Sequence, residues 1–120
     1  MYGRLSAELR QRTKIFAAST IRLFVQLPKQ RDELQVIGKQ LLRAGTSVAA
    51  QVREASRARS DAEFSSKLGG ATQEADECAL WLELLREECK ISSDLTKPLE
   101  KEASELIAIF TTMIKRTNEK

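Results

Sequence analysis

A chain of 120 residues has room for one hydrophobic core and too little for two. Its 42% hydrophobic and 31% charged residues belong to a folding sequence, and only 5 Gly and 2 Pro argue against a β fold built on tight turns. No apolar run approaches the roughly 20 residues of a membrane span, and Met1-Tyr2-Gly3-Arg4-Leu5 leads into no secretory core. A soluble, cytoplasmic protein with no membrane contact is expected.

Composition also speaks against catalysis. There is no His, which removes the commonest general base and metal ligand. Cys78 and Cys89 lie on one expected helix, about 16 Å apart by its rise, too far for a disulfide. Two buried, reduced, structural thiols are expected. The net charge of +3 is unevenly spread. Residues 1–59 carry twelve Lys and Arg against four Asp and Glu, residues 60–88 carry two against eight, and residues 89–120 carry six against five.

The first helix is expected over 4–27, where Leu5, Leu9, Phe16, Thr20, Leu23 and Leu27 recur at three- and four-residue spacing before Pro28. Asp32 reads as the N-cap of a second helix over 33–58, with Gln35 in the capping-box position. Its stripe runs from Leu34 and Leu41 through Val48 and Val52, around a small-residue centre at Ala44-Gly45-Thr46-Ser47. Ser60 with Glu63 forms a second capping box ahead of a third helix over 61–90. There Phe64, Leu68, Ala71, Ala75, Cys78, Leu82 and Leu85 keep an unbroken 4-3 alternation. Gly69-Gly70 inside it reads as a site of close packing. Thr96 reads as the cap of a fourth helix over 97–117, with Pro98 in the first turn and a stripe of Leu99, Ala103, Leu106, Phe110 and Met113. Four long helices with short connections predict an all-α, antiparallel up-down-up-down four-helix bundle, one domain over 1–120.

No catalytic arrangement emerges from the side chains. Glu74 and Glu77, with Asp76 and Glu83, are the clustered carboxylates, but a di-metal bundle site needs Glu-x-x-His pairs. Glu54, Glu74 and Glu77 are instead expected partly buried beside basic groups. Thr46 and Ser47 have no candidate base, and Gly69-Gly70 lacks the Lys-Ser/Thr of a phosphate loop. No enzyme, cofactor, metal or small-molecule substrate is expected. Ile21, Val25, Leu80, Trp81 and Leu84 fall off the core stripes, a surplus of apolar surface that predicts a homo-oligomer with Trp81 and Leu84 at the interface.

Two basic groupings carry the functional expectation. Arg10, Arg12, Lys14 and Arg22 stud the first helix, and Arg53, Arg57 and Arg59 cluster at the end of the second. Arginine grips phosphate bidentately, so these seven are the candidate contacts to RNA or DNA. No aromatics are interleaved for base stacking. The alternative is a protein-interaction scaffold whose basic faces are neutralised by the acidic third helix.

The stretch Val36-Ile37-Gly38-Lys39-Gln40-Leu41-Leu42-Arg43-Ala44-Gly45-Thr46-Ser47-Val48-Ala49-Ala50 resembles one in a family of small bacterial proteins. So do Arg53-Glu54-Ala55, Ala58-Arg59-Ser60, Glu63-Phe64, Glu74-Ala75-Asp76-Glu77 and Trp81-Leu82-Glu83-Leu84-Leu85. This is the four-helix-bundle family first known from intervening sequences of large-subunit ribosomal RNA genes, and the resemblance covers roughly 10–115. It departs at Gln51, where many members have Asn, and at Gly69-Gly70, which replaces bulkier residues. The resemblance implies a left-handed antiparallel bundle assembled into a homopentameric ring. Relatives include the accessory protein of diversity-generating retroelements, a basic pentamer that works with a reverse transcriptase and nucleic acid. A reverse transcriptase thereby enters as a candidate partner.

Overall fold

In the computed structural model, residues 5–119 are described. They form four helices: α1 (Ala7–Gln26), α2 (Asp32–Ser56), α3 (Asp61–Glu87) and α4 (Ser93–Asn118). No strand occurs among the described residues. The bundle measures 49 × 20 × 19 Å, and the 27 residues of α3 alone account for about 40 Å of its length. Helix α2 packs against α1 and α3, and α3 packs against α4. The seam between α1 and α4 stays comparatively open.

Local chemistry sets each helix start. Ser6 caps α1, its Oγ accepting the Leu9 N–H at 3.1 Å. The expected start at residue 4 lies outside the described residues. Asp32 is not a cap: it is the first residue of α2, and Arg31 occupies the cap position with no side-chain bond. The Asp32 and Glu33 charges still favour the positive end of that helix. The second capping box forms as read. Ser60 Oγ accepts the Glu63 N–H at 3.0 Å, while Glu63 Oε1 accepts the Arg59 N–H at 2.8 Å.

Helix α4 corrects the sequence reading. It starts at Ser93, where Ser92 Oγ accepts the Asp94 N–H at 3.2 Å, and not after Thr96. Thr96 is buried within the helix, and Pro98 stands at its sixth position. A proline there leaves the Asp94 carbonyl without its intrahelical donor, close to the end where exposed backbone is already common. Helix α3 also ends short of residue 90. Lys90 takes the left-handed conformation at φ 61°, and the Cys89 and Ile91 N–H groups return to the Leu84 and Leu85 carbonyls.

The core follows the stripes. Leu34, Leu41, Val48 and Val52 of α2 meet Leu68, Leu82 and Leu85 of α3, with Phe16 and Phe110 closing the two sides. Gly45 sets the approach of α1: a Cβ there would fall 2.5–2.9 Å from the side chain of Thr20. Helix α3 runs unbroken through Gly69-Gly70. A Cβ at Gly70 would lie 2.8–3.1 Å from the Gln51 amide, whereas one at Gly69 would meet nothing within 4 Å. Close packing therefore explains one glycine of the pair, and the long Gln51 side chain occupies the space it leaves.

Candidate nucleic-acid interface

Helical geometry sorts the seven basic candidates before any contact is considered. Residues four apart share a face, and residues two apart point about 200° away from each other. Arg10 and Lys14 thus share the side of α1 next to α2, and Arg53 and Arg57 share the facing side of α2. These four line a continuous groove between the helices. At one end, Arg10, Arg53, Ser56 and Arg57 surround a concave pocket of about 600 Å³. It continues into a groove of about 380 Å³ where Lys14 joins them over the small side chains of Ala49 and Ala50.

The other three candidates go elsewhere. Arg12 turns to α4, where Nε and Nη2 donate to Glu102 at 2.6 and 2.8 Å, and Nη2 also donates to Glu105 at 2.7 Å. Those bonds hold its guanidinium more firmly protonated than usual. Arg22 donates to Ser19 at 3.2 Å and lines a separate cleft of about 300 Å³ on the α1/α4 side, with Ile15, Leu95 and Glu102. Arg59 lies past the end of α2, 89% exposed, with one long contact of 3.7 Å to Glu63.

Pairing separates the groove from the rest of the surface. Arg12, Arg31, Arg43, Arg59 and Arg86 each meet a carboxylate. Among the described residues, Lys14, Arg53 and Arg57 make no ion pair, and Arg10 reaches only the Leu5 carbonyl at 3.5 Å. Glu54 lies beside the groove, yet its carboxylate is bound by Lys67 of α3 at 2.8 Å. That pair is exposed, so Glu54 is not the partly buried carboxylate expected from the sequence. Glu74 and Glu77 do sit half-buried, sharing Arg43 of α2 at 3.5 and 2.8 Å. Arg43, Lys67 and Ser56 were not singled out from the sequence, although the unequal charge of the second and third helices signals the first two.

Trp81 and Leu84 stand four and seven residues beyond Glu77, on the α3 face turned toward α2. Both are half-buried, and the Trp81 indole N–H is buried without an acceptor among the described residues. Val36 of α2 and Leu80 of α3 remain 63% and 48% exposed. Both cysteines are free and buried, and burial pushes the Cys78 thiol up to about 12. Among the described residues no set of His, Cys, Asp and Glu gathers as metal ligands, and no helix is long and apolar enough to cross a membrane.

These features define a four-helix bundle with a basic groove whose four cations make no ion pair among the described residues. Residues 6–112 match the family described as 23S rRNA-intervening sequence protein, and the chain belongs to that family. The chain is similar to a protein of unknown function from the S23 ribosomal protein family of Bacteroides thetaiotaomicron, whose crystal structure is 33% identical. The TM-score is 0.81, covering 88% of this chain and 97% of that one. Curated proteins give no match.

Proposed function

We propose that the protein binds RNA or DNA without catalysing a reaction, through the phosphate-contacting groove between α1 and α2. The observation that carries this reading is the convergence of Arg10, Lys14, Arg53 and Arg57 on a groove whose one lining carboxylate, Glu54, is bound by Lys67 of α3. Like charges held together and engaged in no ion pair attract an anion of extended shape, and a phosphate backbone supplies one. No aromatic side chain lines the groove, so base stacking contributes little and sequence preference is slight. The family description makes structured RNA the first nucleic acid to test.

The reading includes assembly. Contacts such as Glu54–Lys67 and Ser65–Asn118 join the end of one helix to the start of its neighbour, as in an antiparallel up-down-up-down bundle. Val36, Leu80, Trp81 and Leu84 offer a second copy an apolar face on α2 and α3, and a homopentameric ring follows from the family resemblance. A ring repeats the basic groove and lets weak phosphate contacts act together. Such a cytoplasmic accessory protein would present nucleic acid to a partner enzyme such as a reverse transcriptase.

The test is filter binding of a structured RNA and a duplex DNA at about 50 mM salt, where the electrostatic term is strong. Charge reversal of Arg10, Arg53 and Arg57 together should lower affinity by about a hundredfold or more, with helical content and oligomer size unchanged. Failure of the wild-type oligomer to bind either nucleic acid would favour the scaffold reading instead.

A further inference from the structure

We infer that the pocket of Arg10, Arg53, Ser56 and Arg57 holds a terminal phosphomonoester, the phosphorylated end of a nucleic-acid strand. This rests on the reading of the α1/α2 groove as a phosphate-binding surface and names the part of the ligand that enters its wider end. Three arginines line one concavity of about 600 Å³ and also border the adjoining groove, which adds only Lys14 to them. Cations suited to a backbone track are spaced along it; here three of the four border the same concavity.

An internal phosphodiester has two free oxygens and one negative charge. A phosphomonoester presents three strong acceptor oxygens and a charge of about −1.5 to −2 at neutral pH. Three planar forks exceed what the diester can accept and match the monoester. The electrostatics at this point stay favourable. Helix α2 ends at Ser56, so about half a negative charge from its dipole faces the pocket, against three positive charges from the arginines. Ser56 Oγ donates to the Arg53 carbonyl at 2.7 Å and keeps its own proton engaged, so recognition rests on the arginines. Glu54, the carboxylate lining the adjoining groove, is not part of the pocket wall and is held by Lys67. A strand end seated here would lay its next phosphates along Lys14.

The same chemistry belongs to a strand end and to a free mononucleotide. The experiment therefore compares, by fluorescence anisotropy with the full chain at about 150 mM salt, one RNA hairpin carrying a 5′-phosphate, a 3′-phosphate or only hydroxyl ends. Uridine 5′-monophosphate serves as competitor. A phosphorylated end should bind about tenfold more tightly than the hydroxyl form. Arg57→Ala should erase that difference, and Arg57→Lys, which keeps the charge and loses the fork, should shrink it. Full competition by the mononucleotide would support the pocket with the free monoester as a sufficient ligand. Competition only by phosphorylated RNA would support the strand end. Equal affinity for all hairpins would overturn this inference and leave the groove reading standing, whereas no binding of any hairpin would overturn both.

Discussion

The two sides of α1 treat the same kind of residue in opposite ways. Toward α4, Arg12 is clasped by two carboxylates; on the α2 side, Arg10, Lys14, Arg53 and Arg57 make no ion pair among the described residues, Glu54 beside them being held by Lys67. The seams of α3 resemble the first case, with Arg43 bound to Glu77 and Arg86 bound to Glu100 at 2.9 Å through its Nε. Supply explains the difference. The acidic residues of the first two helices are few, and two of them, Glu33 and Glu54, are already taken by Arg31 and Lys67. Helix α3 neutralises Arg43 but faces the other side of α2. A positive surplus that one half of a chain cannot neutralise collects on the seam that the acidic helix does not touch.

The sharpest way to break this contrast is to push α1 off α2. Gly45→Ala brings a methyl group against Thr20, a stiff, buried side chain whose hydroxyl donates to the Ala17 carbonyl at 2.7 Å. The substitution should cost about 1–3 kcal/mol and widen the basic groove. Thermal melts followed by circular dichroism check it, and an unchanged midpoint would show that the helices are not held this close. A smaller effect tests the paired side. Hydrogen bonding from Arg86 holds the Glu100 carboxyl below its ordinary value of 4.5. A carboxylate depressed in the folded state stabilises above the unfolded value, and that contribution is lost as pH falls through the folded one. Glu100→Gln should therefore lower the melting point near pH 7, and its difference from the wild type should narrow below pH 4.5. A pH-independent difference would assign the loss to packing. The smallest effect lies where no neighbour intrudes: Gly69→Ala should raise stability by about 0.5–1 kcal/mol through helix propensity alone.

Periodicity carried the fold further than it carried the site. The stripe from Phe64 to Leu85 is buried at all seven positions, because a 4-3 spacing leaves a long helix one way to hide its apolar side. Ends were harder. Ser92-Ser93-Asp94 reads equally as turn and cap, and Pro98 favours a start just before it, so α4 was expected four residues late. At the site, the i, i+4 relation of Arg53 and Arg57 was legible, and that of Arg10 and Lys14 equally so. The two-residue offset of Arg12 already places it on another face. What the sequence could not supply is the partner: which cation meets Glu54, Glu102 or Glu105 depends on packing between segments up to ninety-three residues apart.

The proposed binding mode holds nucleic acid by the unpaired cations and not by the paired ones. Its most direct test is the salt dependence of hairpin RNA binding for three proteins: wild type, Arg53→Ala with Arg57→Ala, and Arg31→Ala, whose side chain is already bound to Glu33. Log affinity falls with log salt by roughly 0.9 per phosphate neutralised on a duplex. The double variant should flatten that slope by about two units, and Arg31→Ala should leave it unchanged. Equal slopes for the wild type and the double variant would contradict the account.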